Sequence, residues 1–209
     1  MSVADYMSQN LVTVRPTTRI NDAVDLMKQN DIHRLPVLDG GRLIGLITEG
    51  IIQRALPSKA TSLSVFEANY LLNKTTVADV MEKDVQVIAP DAVLEDAIYA
   101  MRKNNIGVLP VVNGTQVVGI ITNNDIFDAF LNISGYGRGG TNVTIYVQKD
   151  ELGFIARLGD TLAQHKYNIL TLLVTKRDDE QAIELHVDSE DKVGVKNALS
   201  EAGFTLEHK

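Results

Sequence analysis

The sequence predicts an α+β protein in which two β-α-β-β-α repeats pack about a pseudo-two-fold axis and a smaller βαββαβ domain follows. A gapless internal repeat covers residues 1–132, a glycine-rich segment interrupts the chain at 135–140, and a new alternation of apolar periods begins at 141. We therefore divide the chain into four parts: a first repeat with its connecting segment (1–74), a second repeat (75–134), a linker (135–140) and a C-terminal domain (141–209).

The repeat is visible when Val3-Ala4-Asp5-Tyr6-Met7 is laid on Val77-Ala78-Asp79-Val80-Met81, an offset of 74 residues. The same offset aligns Pro16 with Pro90, Ala23 with Ala97, Met27 with Met101, Pro36 with Pro110, Gly45 with Gly119 and Thr48 with Thr122. A duplication without insertions indicates that both copies share one fold and pack against each other symmetrically.

Each repeat contains the same predicted elements. In the first, helical spacing of apolar residues predicts an amphipathic helix over 20–30, with Thr17 or Thr18 as its N-cap. Two apolar runs at 35–38 and 43–48 flank Asp39-Gly40-Gly41, which predicts a β-hairpin. The second repeat has corresponding runs at 109–112 and 117–122, followed by a helix at about 124–131. Between the repeats, 56–74 predicts a loop and a short helix.

The C-terminal domain begins with a β-branched run at 141–147, followed by a helix over 153–166. Strands over 169–176 and 182–187 flank a turn at 177–180. A second helix over 191–201 ends before Gly203, and 204–207 forms a last strand. This βαββαβ order is ferredoxin-like.

Composition excludes several classes of function. A net charge of -7 repels phosphate backbones, so we expect no nucleic-acid partner. No run approaches the roughly 20 apolar residues of a membrane span, and cysteine is absent, so we expect a cytoplasmic protein without disulfides. The four histidines lack zinc-ligand spacing and no phosphate-cradling Gly-Lys-Ser/Thr loop occurs. We therefore expect no enzyme activity, no metal and no resident cofactor.

Two doubled motifs identify the repeats. Leu35-Pro36-Val37 matches Leu109-Pro110-Val111, and a Gly-x-x-Thr motif occurs at 45–48 and at 119–122. At a fixed register these motifs resemble the CBS domain family, whose tandem pairs are known as Bateman modules. Such pairs typically bind adenosine-containing ligands between the repeats. The resemblance therefore implies an adenine-nucleotide sensor, with AMP, ADP, ATP or another adenosine derivative as ligand.

The resemblance also implies where the ribose lies. The family places an aspartate three residues after the threonine, because a carboxylate accepts hydrogen bonds from both ribose hydroxyls. The second repeat has this pair as Thr122 and Asp125, whereas the first has Thr48 and Ile51. We expect the site that depends on Ile51 to be defective. The alternative for Asp125 is that it only caps the helix that follows.

In the family, the other repeat completes the site, which pairs Asp125 with His33 and Arg34 as phosphate contacts. The equivalent positions of the second repeat are Gly107 and Val108, so we predict one nucleotide site. The alternative for His33 and Arg34 is a solvated loop. The remaining predicted site residues surround adenine and ribose or close the rim: Met7, Asn10, Val12, Ile32, Ile120 and Thr122.

The C-terminal domain resembles the ACT family at Asp150-Glu151-Leu152-Gly153 and at Asn168-Ile169. This resemblance implies that an amino-acid-like effector binds near Asp150, Leu152 and Gly153, where a helix N-terminus suits a carboxylate. A tight turn explains the glycine equally well, and a purely dimer-forming domain remains an alternative.

The whole architecture resembles acetoin-utilisation proteins of the AcuB type. It implies a non-catalytic regulator that acts as a homodimer through its CBS and ACT surfaces on an unknown protein target. The competing hypothesis is a scaffold whose CBS pair dimerises without a ligand.

Overall fold

Two units, Met1–Phe127 and Asp128–Lys209, make up the chain. The computed structural model describes residues 1–55, 74–147, 152–177 and 180–206. The loop and helix predicted for 56–74 therefore lie outside the described residues except at Lys74, as does the centre of the turn predicted at 177–180.

Both repeats of the N-terminal unit build a helix, a β-hairpin and a second helix. Their elements are α1 Ile20–Gln29, β1 Arg34–Asp39, β2 Arg42–Thr48, α2 Glu49–Ala55, α3 Val77–Val80, α4 Leu94–Asn104, β3 Val108–Asn113, β4 Gln116–Thr122 and α5 Asn123–Ser134. Both hairpins are antiparallel with the same register, Arg34 opposite Thr48 and Val108 opposite Thr122. The predicted hairpins and the helices that begin at residues 20 and 123 are present.

The prediction of a regular first strand in each repeat is wrong. Only isolated bridges form there, between Val14 and Val37 and between Ile88 and Val111. In each repeat a proline follows two residues after the bridge, and proline has no N–H for a ladder.

The predicted N-cap of α1 is also wrong. The cap position is Arg19, and the hydroxyl of Thr18 instead accepts a hydrogen bond from Arg15 N at 3.1 Å. The backbone N–H of Ile20 donates to Thr75 O at 3.1 Å, so the adjoining chain satisfies a helix-terminal donor that has no partner within the helix.

The bridges between segments follow the predicted pseudo-two-fold relation. Two pairs of them join one repeat to the other, and each pair obeys the 74-residue offset: Ser2 to Val93 with Arg19 to Thr76, and Ser8 to Ile120 with Leu46 to Glu82. The segment before each helix therefore crosses onto the opposite repeat, so any cleft between the repeats is lined by both.

Gly45 and Gly119, which the 74-residue offset aligns, have the same packing role. A Cβ at Gly119 would collide with the Met7 side chain and lie 3.2 Å from Ser8 O. A Cβ at Gly45 would lie 2.5 Å from Met81 Sδ and 2.9 Å from Glu82 O. Each glycine therefore lets the crossing segment approach the hairpin closely.

The C-terminal unit contains a three-stranded antiparallel sheet with two helices on one face. Its elements are β5 Thr141–Val147, α6 Phe154–Gln164, β6 Ile169–Arg177, β7 Glu180–Val187 and α7 Lys192–Glu201. The strand order is β5-β7-β6, and Tyr146 of β5 forms an antiparallel bridge with Thr205. The pairing agrees with the predicted topology, but the last strand is reduced to this bridge within the described residues.

The glycine-rich segment 135–140 is held by specific hydrogen bonds to other residues of the C-terminal unit. Gly140 N donates to Glu190 Oε1 at 2.8 Å, and His186 Nε2 lies 2.9 Å from Gly139 O. His186 is buried, and a Cβ at Gly135 would collide with its Nδ1. This segment has the composition of a flexible linker, but contacts at its first and last residues hold it in place.

Within the described ranges, no helix combines the length and apolarity that spanning a bilayer requires. The same part of the chain holds no group of three or more His, Asp or Glu side chains that could bind a metal ion.

Asp79 should make the stability of the N-terminal unit depend on pH. Thr76 N and Thr76 Oγ1 both donate to Asp79 Oδ2 at 2.7 Å, and these bonds lower the pKa of Asp79. A lowered pKa contributes stability that is present above the unfolded value and lost as the pH falls through the folded value. We expect Asp79→Asn to be less stable than wild type in urea unfolding at pH 7. The difference should shrink towards about pH 3.

Asp22→Asn provides the matched control. Asp22 occupies the same third position of α1, but the N-cap there is Arg19, which makes no side-chain capping bond. A loss of stability at Asp79 that did not change between pH 7 and acid would contradict the role of the charged carboxylate.

Candidate functional site

A cleft of about 390 Å³ lies between the two repeats of the N-terminal unit. Its wall combines the crossing segment 8–12, the α1–β1 loop, β4 and the start of α5. Eight of the nine residues predicted for the nucleotide site line it: Asn10, Val12, Ile32, His33, Arg34, Ile120, Thr122 and Asp125.

Met7 is the predicted site residue that does not line the cleft. Its thioether packs against Gly119 on the hairpin of the second repeat. The next residue, Ser8, pairs with Ile120: Ser8 N donates to Ile120 O at 2.9 Å, and Ile120 N donates to Ser8 O at 3.0 Å. Met7 therefore supports the wall from behind.

Sequence reasoning missed six residues that line the cleft: Ser8, Gln9, Leu11, Asp31, Pro36 and Asn124. A signal existed for Asp31 in its residue type: Asp31 is the second residue after α1 and has a φ of 52°, and its counterpart Asn105 after α4 has a φ of 51°. Asn and Asp are the non-glycine residues that adopt this left-handed conformation most readily. The turn places Asp31 beside the strand that carries Arg34.

Asp125 occupies the third position of α5 and caps that helix. Thr122 N and Thr122 Oγ1 each donate to Asp125 Oδ2 at 2.7 Å, so Asp125 makes the capping contact, while the alternative that it serves the cap alone stays a prediction. Both of these bonds end on Oδ2. The other carboxylate oxygen, Oδ1, can therefore accept hydrogen bonds from a ligand while the cap stays intact.

Arg34 enters the cleft from the first residue of β1, in the opposite repeat to Asp125. A Cβ at Gly107 would lie 3.4 Å from Arg34 Nη2 and 3.0 Å from Asn123 Nδ2, so the guanidinium lies against the backbone of the second repeat. Burial lowers the pKa of Arg34, and the Asp125 carboxylate opposes this shift. The cleft thus brings together the Arg34 guanidinium and the Asp125 carboxylate, which come from opposite repeats.

His33 lies at the mouth of the cleft and contacts a carboxylate of its own repeat. Its Nδ1 is 3.1 Å from Glu49 Oε2, and the two side chains are 63% and 47% exposed. The alternative of a solvated loop therefore fits His33 better than it fits Arg34. Any charge that His33 carries is balanced locally by Glu49.

The pseudo-symmetric position has neither polar group. Ile51 N donates to Thr48 Oγ1 at 3.2 Å, and the Ile51 side chain packs against the core of the first repeat. Val108 is buried where the other repeat has Arg34, and Gly107 stands where it has His33. The two positions are therefore chemically unequal, with Asp125 and Arg34 at one and Ile51 and Val108 at the other.

The effector position predicted in the C-terminal unit is only partly described. Asp150 lies outside the described residues, whereas Leu152 is fully exposed and Gly153 is the N-cap of α6 with a φ of 85°. Because this backbone conformation favours glycine, the tight-turn alternative accounts for Gly153.

Comparison with known proteins assigns the N-terminal repeats. The family model described as "CBS domain" matches residues 3–58 and 77–132. The CBS domain-containing protein YhcV of Bacillus subtilis is 31% identical over 143 residues, which are 68% of this chain and 95% of YhcV.

Two solved structures extend the comparison. A Vibrio cholerae protein assigned to acetoin utilization (AcuB) is 32% identical with a TM-score of 0.54, over 63% of this chain and 91% of its own. CBSX2 in complex with AMP is 29% identical with a TM-score of 0.54, over 63% of this chain and 97% of its own. Because the family model covers both repeats and more than half of the sequence, this chain belongs to the CBS domain family.

Proposed function

We propose that this protein is a non-catalytic regulator that senses an adenine nucleotide in the cleft between its two CBS repeats. The observation that carries the proposal is the pairing of Asp125 from one repeat with Arg34 from the other in a single cleft. A carboxylate suits the ribose diol and a guanidinium suits a phosphate. The cleft volume of about 390 Å³ is in the range of small-molecule sites.

The mechanism is linkage between ligand and repeat arrangement. A nucleotide that contacts Asp125 and Arg34 at once bridges the two repeats. It therefore stabilises the arrangement in which these groups face each other. Binding shifts the population of the two arrangements only by the difference in affinity between them.

The charge of the cleft favours a short phosphate chain. Among the described lining residues, Arg34 is the one guanidinium or ammonium group, while Asp31 and Asp125 are acidic and His33 is paired with Glu49. Each additional phosphate adds negative charge, and no second guanidinium or ammonium group among the described lining residues can pair with it. We expect affinity to fall in the order AMP, ADP, ATP.

Isothermal titration tests the proposal directly. The ligands are adenosine, AMP, ADP, ATP, NAD, cyclic di-adenosine monophosphate and S-adenosylmethionine, each titrated into the full chain without magnesium. We expect saturable binding of at least one of these ligands, with one ligand molecule per chain. Absence of heat at millimolar concentration of every ligand would instead support the scaffold hypothesis.

Arg34→Met should separate phosphate recognition from adenosine recognition. The substitution keeps an unbranched side chain but removes the guanidinium, so affinity for AMP should fall by about 10-fold or more. Affinity for adenosine should change little, because adenosine has no phosphate. Titration of both ligands into both proteins measures the difference. Equal losses for AMP and adenosine would show that Arg34 shapes the cleft and does not bind phosphate.

We further propose roles for the C-terminal unit and for the protein as a whole. The C-terminal unit is proposed to be an ACT-like domain that takes an amino-acid-like effector near Leu152 and Gly153, supported by its strand order. A role in acetoin utilisation is supported by the similarity to AcuB. A cytoplasmic homodimer that acts on a protein target completes the proposal. Titration of amino acids into the nucleotide-loaded chain tests the effector.

A further inference from the structure

The outer face of the C-terminal sheet carries two rows of mainly polar side chains. The core of this unit packs on the other face, because side chains alternate between the two faces along each strand and the apolar ones point to the helices. The pairing register therefore brings residues of β5, β7 and β6 together across the outer face. The rows are Asn142, His186 and Thr171, and Thr144, Glu184 and Leu173.

A cavity of about 270 Å³ lies over these rows, beside the end of α5. Phe130 and Ser134 of α5, with Tyr136 just beyond the helix, complete its wall. The hydroxyl of Thr171 donates to Ile133 O at 3.1 Å, which ties the end of α5 to β6. The cavity is therefore built by the C-terminal unit alone.

His186 forms a fixed part of the wall. It is 3% exposed, and its Nε2 lies 2.9 Å from Gly139 O. A carbonyl oxygen only accepts, so Nε2 is the nitrogen that donates there. The other nitrogen, Nδ1, is buried without a hydrogen-bond partner in the described part of the chain, and a Cβ at Gly135 would collide with it. The imidazole therefore offers the cavity no free donor.

Several other polar groups of the wall present acceptors, because their protons are already used. Ser134 Oγ donates to Leu131 O at 3.0 Å, and the Thr171 hydroxyl donates to the end of α5. Glu184 Oε2 accepts from Thr144 Oγ1 at 2.7 Å, which leaves Glu184 Oε1 for a ligand. The hydroxyl oxygens keep lone pairs that can accept as well. A ligand that brings several N–H donors therefore matches this wall.

Charge and aromatic surface favour a cationic donor. Glu184 is the one carboxylate in the wall, and no Lys or Arg of the described residues lines the cavity. At the rim, Phe130 and Tyr136 are 64% and 77% exposed. The face of an aromatic ring attracts a cation, and a carboxylate makes its strongest hydrogen bonds to a charged donor. Together these groups suit an ammonium ion.

We propose that this cavity binds a small primary amine, with its ammonium group held by Glu184 Oε1 and by the aromatic rim. The side chain of Leu173 contacts the apolar body of the ligand. The volume of about 270 Å³ limits that body to a short alkyl or a single aromatic ring. A free amino acid fits less well, because no guanidinium or ammonium group of the described wall would meet its carboxylate.

This site goes beyond the proposed function and is separate from it. Neither the cleft between the repeats nor the effector position near Leu152 and Gly153 contributes a residue to the cavity. Amine binding is measured without nucleotide, so its failure would leave the nucleotide titration unaffected. A failed nucleotide titration would equally leave the amine site unaffected.

Heteronuclear NMR of the isotope-labelled full chain tests the site, with benzylamine as the probe. Benzyl alcohol has nearly the same shape without the charge and serves as the control ligand. We expect saturable shifts with benzylamine at millimolar concentration, largest at the backbone amides of Asn142, Glu184 and His186. Benzyl alcohol should bind about 10-fold or more weakly, because it lacks the charged donor.

Substitutions in the wall test each part of the recognition. Glu184→Gln removes the charge but keeps an oxygen for Thr144, so affinity for benzylamine should fall by about 10-fold. Phe130→Leu keeps an apolar side chain and should weaken benzylamine by about 3-fold. Asp188→Asn is the matched control, since it removes an exposed carboxylate of the same unit outside the cavity and should leave affinity unchanged.

The same spectra show whether each variant is folded. Absence of saturable shifts with benzylamine would overturn the proposal, as would equal affinity for benzyl alcohol. Unchanged affinity in Glu184→Gln would overturn the role of the carboxylate and with it the ammonium site. Shifts centred on Leu152 and Gly153 would assign the amine to the effector position and would also overturn the assignment to this cavity.

Discussion

Asp125→Asn should weaken AMP binding by about 10-fold to 150-fold, the equivalent of roughly 1.5–3 kcal/mol for hydrogen bonds to a charged group. Asparagine keeps one side-chain oxygen for Thr122 N and Thr122 Oγ1, so the cap of α5 can persist. It replaces the other carboxylate oxygen with an amide nitrogen that cannot accept from a ribose hydroxyl. Isothermal titration of AMP into both proteins measures the loss.

Two controls separate ribose binding from helix capping. Asp79→Asn removes a carboxylate from the same Thr-x-x-Asp capping arrangement outside the cleft, and it should leave AMP affinity unchanged. 2′-Deoxy-AMP lacks one of the two ribose hydroxyls, so Asp125→Asn should cost less affinity for 2′-deoxy-AMP than it costs for AMP. Equal affinity of wild type and Asp125→Asn for AMP would show that Asp125 serves the helix alone.

The fold was predictable where the signal is local. The hairpins follow from β-branched runs around Asp39-Gly40-Gly41 and Asn113-Gly114, and the structure gives Gly40, Gly41 and Gly114 positive φ angles. The helices follow from apolar spacing, and their starts are correct to within a residue or two. What failed depends on contacts between distant segments. The first strand of each repeat pairs at one residue only, and the N–H of Ile20 at the start of α1 donates to Thr75 O.

The residues of the site likewise divide into those that a motif predicts and those that depend on how the repeats pack. Thr122 and Asp125 are three residues apart, so one family motif predicts both, and the resemblance to the CBS family implies that Arg34 lies opposite them. Pro36 enters the wall only when the two repeats pack, which no local pattern encodes. The contact between His33 and Glu49 follows from the hairpin register, because Arg34 pairs with Thr48 and these two residues flank that pair. It was open to prediction once the register was known.

Gly140→Ala should destabilise the C-terminal unit by about 2–4 kcal/mol, the sum of backbone strain and overpacking. Gly140 has a φ of 112°, a conformation that alanine rarely adopts, and a Cβ there would collide with the carbonyl oxygen of Val187. That carbonyl belongs to β7, so the substituted side chain cannot escape by a rotamer change. Displacing the segment would also stretch the bond from Gly140 N to Glu190. Urea unfolding, together with hydrogen exchange of peptides from β5 and β7, measures the loss.

Gly137→Ala isolates the strain from the collision. Gly137 has a φ of 80°, but a Cβ there would meet no atom within 4 Å, so the cost should be about 1 kcal/mol from backbone conformation alone. Faster exchange in β7 for the substitution at Gly140 than for the one at Gly137 would show that the glycine segment is packed on the sheet. Equal, small effects of the two substitutions would show that the segment moves freely and that its hydrogen bonds to Glu190 and His186 are not maintained in solution.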